Sequence, residues 1–121
     1  MDNLRYMYIR DENRNPFGVV VTRKVGNQLE YNYSVCNPKD KFSKEIAKKI
    51  ALGRLETSNY AFELYEDDNR HTITAKVFFL LSRNSLPSKA VKFLNRWLDT
   101  HEEKLWGFLR RNWRSACLYL I

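Results

Sequence analysis

Long apolar runs are missing from this sequence. Stretches such as Val77 to Leu81 fall far short of the roughly 20 residues that cross a bilayer, which argues against a helical membrane protein. Cysteine is scarce. Cys36 and Cys117 alone make no disulfide framework, so a disulfide scaffold is excluded and a reducing cytosol is the expected compartment. The opening MDNLRYMYIR lacks the basic-then-apolar order of a secretory signal. At 121 residues the chain suits a single domain (1–121) and is too short for a tandem-domain enzyme. Acid is also in short supply. Lys plus Arg is 21 and Asp plus Glu is 14, a net charge of +7, which favours polyanionic partners.

What is present patterns as α+β. Residues 4–9, LRYMYI, alternate and are rich in β-formers, predicting a first strand. RDENRNP is a polar turn, and FGVVVTRK predicts a second strand. Val25, Gly26 and Asn27 then read as a tight turn. From Gln28 to Cys36, Leu29, Tyr31, Tyr33 and Val35 share one face, and Gln28, Glu30, Asn32 and Ser34 the other. This predicts a strand with the first set on the core and the second in water. After Asn37 and Pro38, Asp40 or Ser43 can cap a helix running to about Leu55. Its predicted apolar face is Phe42, Ile46, Ala47, Ile50 and Ala51, with Leu52 and Leu55 intruding on the basic side.

The region 57–85 is less regular. Tyr60, Phe62 and Leu64 alternate weakly before an acidic turn. Thr72 to Leu81 reads as a strand from its β-branched start and its aromatics, with a helix capped by Asp68 or Asn69 as the alternative. Ser85 followed by Pro87 marks a helix start. A helical period continues through Ala90, Leu94 and Leu98 to Leu105, Leu109 and Ala116, and Thr100 with Glu103 suggests a second helix beginning near Asp99. The apolar tail 116–121 is expected to pack on the domain or on a second copy, which makes homodimerisation through the C-terminal helical segment a further expectation. The predicted architecture is an antiparallel sheet of three or four strands (1–56 supplying three strands and a helix), one packed amphipathic helix, and a helical segment over 86–121.

Enzymatic signatures are absent: no Gly-rich phosphate loop, no Gly-x-Ser-x-Gly elbow, no His-Glu-x-x-His. Nothing calls for a cofactor. The best metal-site candidate is Glu63, Glu66, Asp67 and Asp68 with His71 beyond, carboxylates and an imidazole able to hold Mg²⁺ or Mn²⁺ for phosphodiester hydrolysis. The plainer reading is a solvated turn whose charges cap the next element.

Between Lys39 and Arg54 there are six basic residues against two acidic. Lys41, Lys44 and Lys48 fall at i, i+3, i+7, with Lys49 and Arg54 nearby, a spacing that can follow a phosphate backbone. A second set is Lys104, Arg110, Arg111 and Arg114, interleaved with Trp106 and Trp113, where aromatics beside arginine can stack on unpaired bases. The plain alternative is that the lysines are the wet side of an amphipathic helix and the tryptophans are core. No base-reading motif accompanies either set, so any nucleic-acid contact would be to the backbone.

RDENRNPFGVVV followed by YSVCNPKDKFSKEIAKKIALGRLE resembles a family of short proteins of tailed phages and prophages that has no established activity. The shared positions are Pro16, Gly18 and Val19, then Cys36, Asn37, Asp40, Phe42, Lys44, Ile50, Ala51, Gly53 and Arg54, over about residues 5–56. Residues 57–85 and the tail after Arg111 depart from the pattern. The resemblance implies a phage accessory role in the host cytoplasm. The expected function is a non-enzymatic protein binding DNA or RNA backbone through Lys41, Lys44, Lys48, Lys49 and Arg54, with Arg110, Arg111 and Arg114 as a second contact. The alternative is a protein-binding inhibitor of a host defence or nucleoprotein machine, of anti-CRISPR or other anti-defence type.

Overall fold

The alternating N-terminal third forms a meander. The structure, a computed structural model, describes residues 4–36 and 39–101, which group into two compact units meeting at Tyr65 and Glu66. The first holds β1 (Leu4–Arg10), β2 (Pro16–Val25), β3 (Gln28–Val35), α1 (Lys44–Thr57) and β4 (Tyr60–Glu63). The four strands pair in chain order, every neighbour antiparallel. Both hairpin turns have a local cause. Gly26 stands at φ 61° as the first of two residues between β2 and β3, the position where a type II′ turn wants glycine. Before β2, the Asp11 carboxylate accepts from the backbone N–H of Asn13 and of Asn15, each at 2.9 Å. This turn forces Arg14 to φ 66°, a left-handed conformation that costs a side chain about 1 kcal/mol or more. Arg14→Gly should therefore raise stability by about 0.5 kcal/mol after the unfolded-state entropy of glycine is deducted, read as a small upward shift in thermal melting.

The face of β3 that α1 covers differs from the expected one. Val19 and Val21 pack with Ala47, Ala51 and Leu55 of α1, and Tyr6, Tyr8 and Leu52 close around them. Val19 pairs with Ser34 and Val21 with Asn32, so α1 lies over the polar set of β3. Asn32 and Ser34 are buried rather than wet. The reason is that β2 supplies the apolar contact on this side, while Asn32 is satisfied locally. Its Nδ2 donates to the Ser58 carbonyl at 2.7 Å, and its Oδ1 accepts from the Tyr33 N–H, so burial leaves no orphaned amide. On the opposite face Ile9, Val20, Leu29 and Tyr31 are also buried.

The contact stripe of α1 is likewise rotated from the expected one. Ala47, Ala51 and Leu55 are buried, whereas Ile46 and Ile50 are 61% and 43% exposed. Two alanines let the helix lie close to the valines of β2, and Leu55 then fills the far end of the stripe. Ser43 is the N-cap, accepting from the Ile46 N–H.

The second unit holds α2 (Arg70–Ser82) and α3 (Ser88–Thr100). The strand reading of Thr72 to Leu81 is overturned, and the segment is helical. Thr74 to Phe79 and Leu81 are all buried. A helix buried around its circumference shows no amphipathic period, and that concealed it. Asn69 caps it, accepting from the N–H of His71 and Thr72, while the Thr72 hydroxyl accepts from the Asn69 N–H. Asn69→Ala should cost about 1 kcal/mol, measurable by denaturant titration. The two helices run antiparallel, with the Phe78 ring edge-on to Trp97 at 5.1 Å and the rings of His71 and His101 at 6.4 Å. α3 begins at Ser88 with Pro87 at the cap position and no side-chain cap, so Ser85 does not start it. It ends at Thr100, near the expected break at Asp99. Thr100 Oγ1 donates back to the Arg96 carbonyl. The expected helix beyond Glu103 lies outside the described residues. No helix among the described residues is long and apolar enough to cross a membrane.

Candidate nucleic-acid interface

Two periodicities meet where α1 crosses the sheet near β1. Tyr6 and Tyr8 are two residues apart on a strand, which places them on one face about 6.6 Å apart. Lys44 and Lys48 are four apart on a helix, one above the other with a rise of about 6 Å. The spacings match, and each lysine meets one ring. Lys44 Nζ sits 4.8 Å from the Tyr8 ring centroid and Lys48 Nζ 5.0 Å from that of Tyr6. The Arg10 guanidinium lies 5.6 Å from the Tyr8 ring, and its Nη1 donates to the Arg14 carbonyl at 3.0 Å.

The rings position these cations without neutralising them. An ammonium over an aromatic face gains roughly 0.5–1 kcal/mol at an exposed site and keeps its full charge. Among the described residues, neither Lys44 nor Lys48 is paired with a carboxylate. Lys44 is exposed and Lys48 half-buried. The result is a short row of three oriented positive charges on an aromatic bed.

The other predicted basic residues fall elsewhere. Lys41 precedes the first turn of α1 and is exposed. Lys49 points outward from the helix and is exposed. Arg54 lies on the opposite flank of α1, where its Nη1 donates to the Tyr33 carbonyl at 2.9 Å. Lys104, Arg110, Arg111 and Arg114 lie outside the described residues. Sequence reasoning missed Tyr6, Tyr8 and Arg10 as site residues. The alternation of LRYMYIR places the two tyrosines together, but nothing local says which helix will cross them. It also missed Lys89, Lys92 and Arg96, which line the exposed outer face of α3 at i, i+3, i+7.

The acidic turn takes a structural part. The Asp68 carboxylate is buried, accepting from Lys76 Nζ at 2.6 Å and from the Thr72 hydroxyl at 3.0 Å. Among the described residues, no group of three or more His, Cys, Asp or Glu side chains is arranged to hold a metal ion. No protein-family model, curated protein or solved structure matches this chain.

Proposed function

We propose that this is a non-enzymatic accessory protein that binds the sugar-phosphate backbone of nucleic acid without strong sequence preference. The observation that supports this reading is the group of Arg10, Lys44 and Lys48, held against the rings of Tyr6 and Tyr8 with no carboxylate partner among the described residues. Charges at helical and strand spacing meet phosphates as a line, and release of condensed counterions supplies the affinity. Contacts to the backbone fix position rather than sequence. The likeness of residues 5–56 to tailed-phage proteins adds a setting, a phage accessory protein working in the host cytoplasm.

The salt dependence of binding tests this reading. Fluorescence anisotropy with labelled duplex and single-stranded oligonucleotides should show affinity falling with salt. Three phosphate contacts give a log–log slope of about −2.7 on duplex and about −2.1 on single strands. No binding at low salt, or a slope near zero, would overturn it.

A further inference from the structure

The other flank of α1 carries a different feature. A cavity of about 350 Å³ opens between the end of β3 and the start of α1, at the lower end of the range of about 300–1,000 Å³ typical of ligand pockets. Its walls are mainly apolar, formed by Val35, Phe42, Ala47 and the two exposed isoleucines, Ile46 and Ile50, with Ser34 and Ser43 among them. The helix thus leaves two large β-branched side chains in water beside a concavity, while alanines take the core contact. Around that apolar floor stand Lys41 and Arg54, with Asp40 the one carboxylate in the lining among the described residues. Arg54 is more than a surface cation. One of its N–H groups is anchored on the Tyr33 carbonyl, which holds the guanidinium in place. It is exposed, and a guanidinium has five donors, so the remainder of the fork faces solvent. A fixed guanidinium is suited to a carboxylate, which it can engage through two parallel hydrogen bonds.

We propose that this groove docks a short acidic segment of a partner protein, which seats one bulky apolar side chain against Ile46 and Ile50 and sets a neighbouring carboxylate against Arg54 and Lys41. The choice of occupant follows from the chemistry of the walls. A bare phosphate backbone has nothing to bury against two isoleucines, and a neutral apolar ligand leaves the fixed guanidinium unused. An acidic segment with an apolar anchor uses both. This surface is distinct from the row of Lys44 and Lys48 and does not depend on it.

The test uses the full chain, isotope-labelled for NMR, with three blocked heptapeptides as probes. The first has a central leucine flanked by glutamates, the second replaces the leucine by serine, and the third replaces the glutamates by lysines. The first should shift the amide signals of Ser34, Ile46 and Ile50. The second should bind roughly tenfold more weakly, the loss expected for one aliphatic anchor, and the third should leave the three signals unmoved. Ile50→Gln and Lys41→Gln, both at exposed positions, should each weaken the first peptide severalfold with an unchanged melting temperature. Arg54→Gln should weaken it further. Lys44→Gln with Lys48→Gln should leave peptide affinity unchanged, which separates this inference from the nucleic-acid reading. Equal binding of the acidic and basic peptides, or no shift at these three amides under saturating acidic peptide, would overturn the proposal.

Discussion

Asp68→Asn should destabilise the protein by about 3–5 kcal/mol, a large share of the total stability of a small domain. The cause is Lys76, whose side chain is 1% exposed and whose Nζ lies 2.6 Å from the Asp68 carboxylate, itself 2% exposed. Two charges out of water are tolerable only together, because each is costly to desolvate and their mutual attraction offsets that cost. Neutralising the acid takes the Asp68 charge away from an ammonium that is buried on α2 beside Val77, Phe78 and Phe79. Removing both charges should restore most of the loss. In Asp68→Asn with Lys76→Met, the amide oxygen still accepts from the Thr72 hydroxyl, and the thioether chain fills the lysine's volume. A double-mutant cycle in urea should give a coupling of about 2 kcal/mol or more between the two sites. Additive losses would mean that the ion pair is not what holds this end of α2.

Lys44→Glu combined with Lys48→Glu should lower affinity for nucleic acid on the order of a hundredfold at low salt, since each reversal both removes an attraction and adds a repulsion of roughly 0.7 kcal/mol. The fold should survive. The two lysine–tyrosine contacts contribute about 1–2 kcal/mol together, less than typical domain stability, and neither lysine belongs to the buried stripe of Ala47, Ala51 and Leu55. The neutral pair Lys44→Gln with Lys48→Gln should lose less affinity and flatten the duplex salt slope by about 1.8. Lys49→Glu, placed on the outward side of the same helix, should change affinity far less. That contrast separates a positioned row from a general effect of net charge.

The elements of the first unit were legible because each carries a local signal. The alternation of Leu29 to Val35, glycine at position 26 and the hydroxyl of Ser43 each dictate backbone geometry over a few residues. What they do not encode is which face meets what. The apolar side of β3 was visible, yet α1 packs on the side of Asn32 and Ser34, because Val19 and Val21 of the neighbouring strand decide that contact. In α1 the isoleucines look more core-like than the alanines, but close approach of helix to sheet selects the small side chains. α2 was obscured for two reasons. Its burial all round removes the helical period, and Thr72, Ile73 and Thr74 carry strand propensity. Lys76 interrupts the apolar run in sequence, and the carboxylate that meets it belongs to Asp68, eight residues earlier. The site follows the same rule. Lys44 and Lys48 were visible as a helical pair, but their aromatic seats lie some 40 residues upstream on β1, beyond any local pattern.

An NMR titration of the labelled full chain with a short single-stranded oligonucleotide at low salt tests the placement of the interface most directly. The signals of Tyr6, Tyr8, Arg10, Lys44 and Lys48 should move together and saturate at one affinity. A map in which these five stay still while shifts gather on Lys89, Lys92 and Arg96 of α3, or on no surface at all, would contradict it.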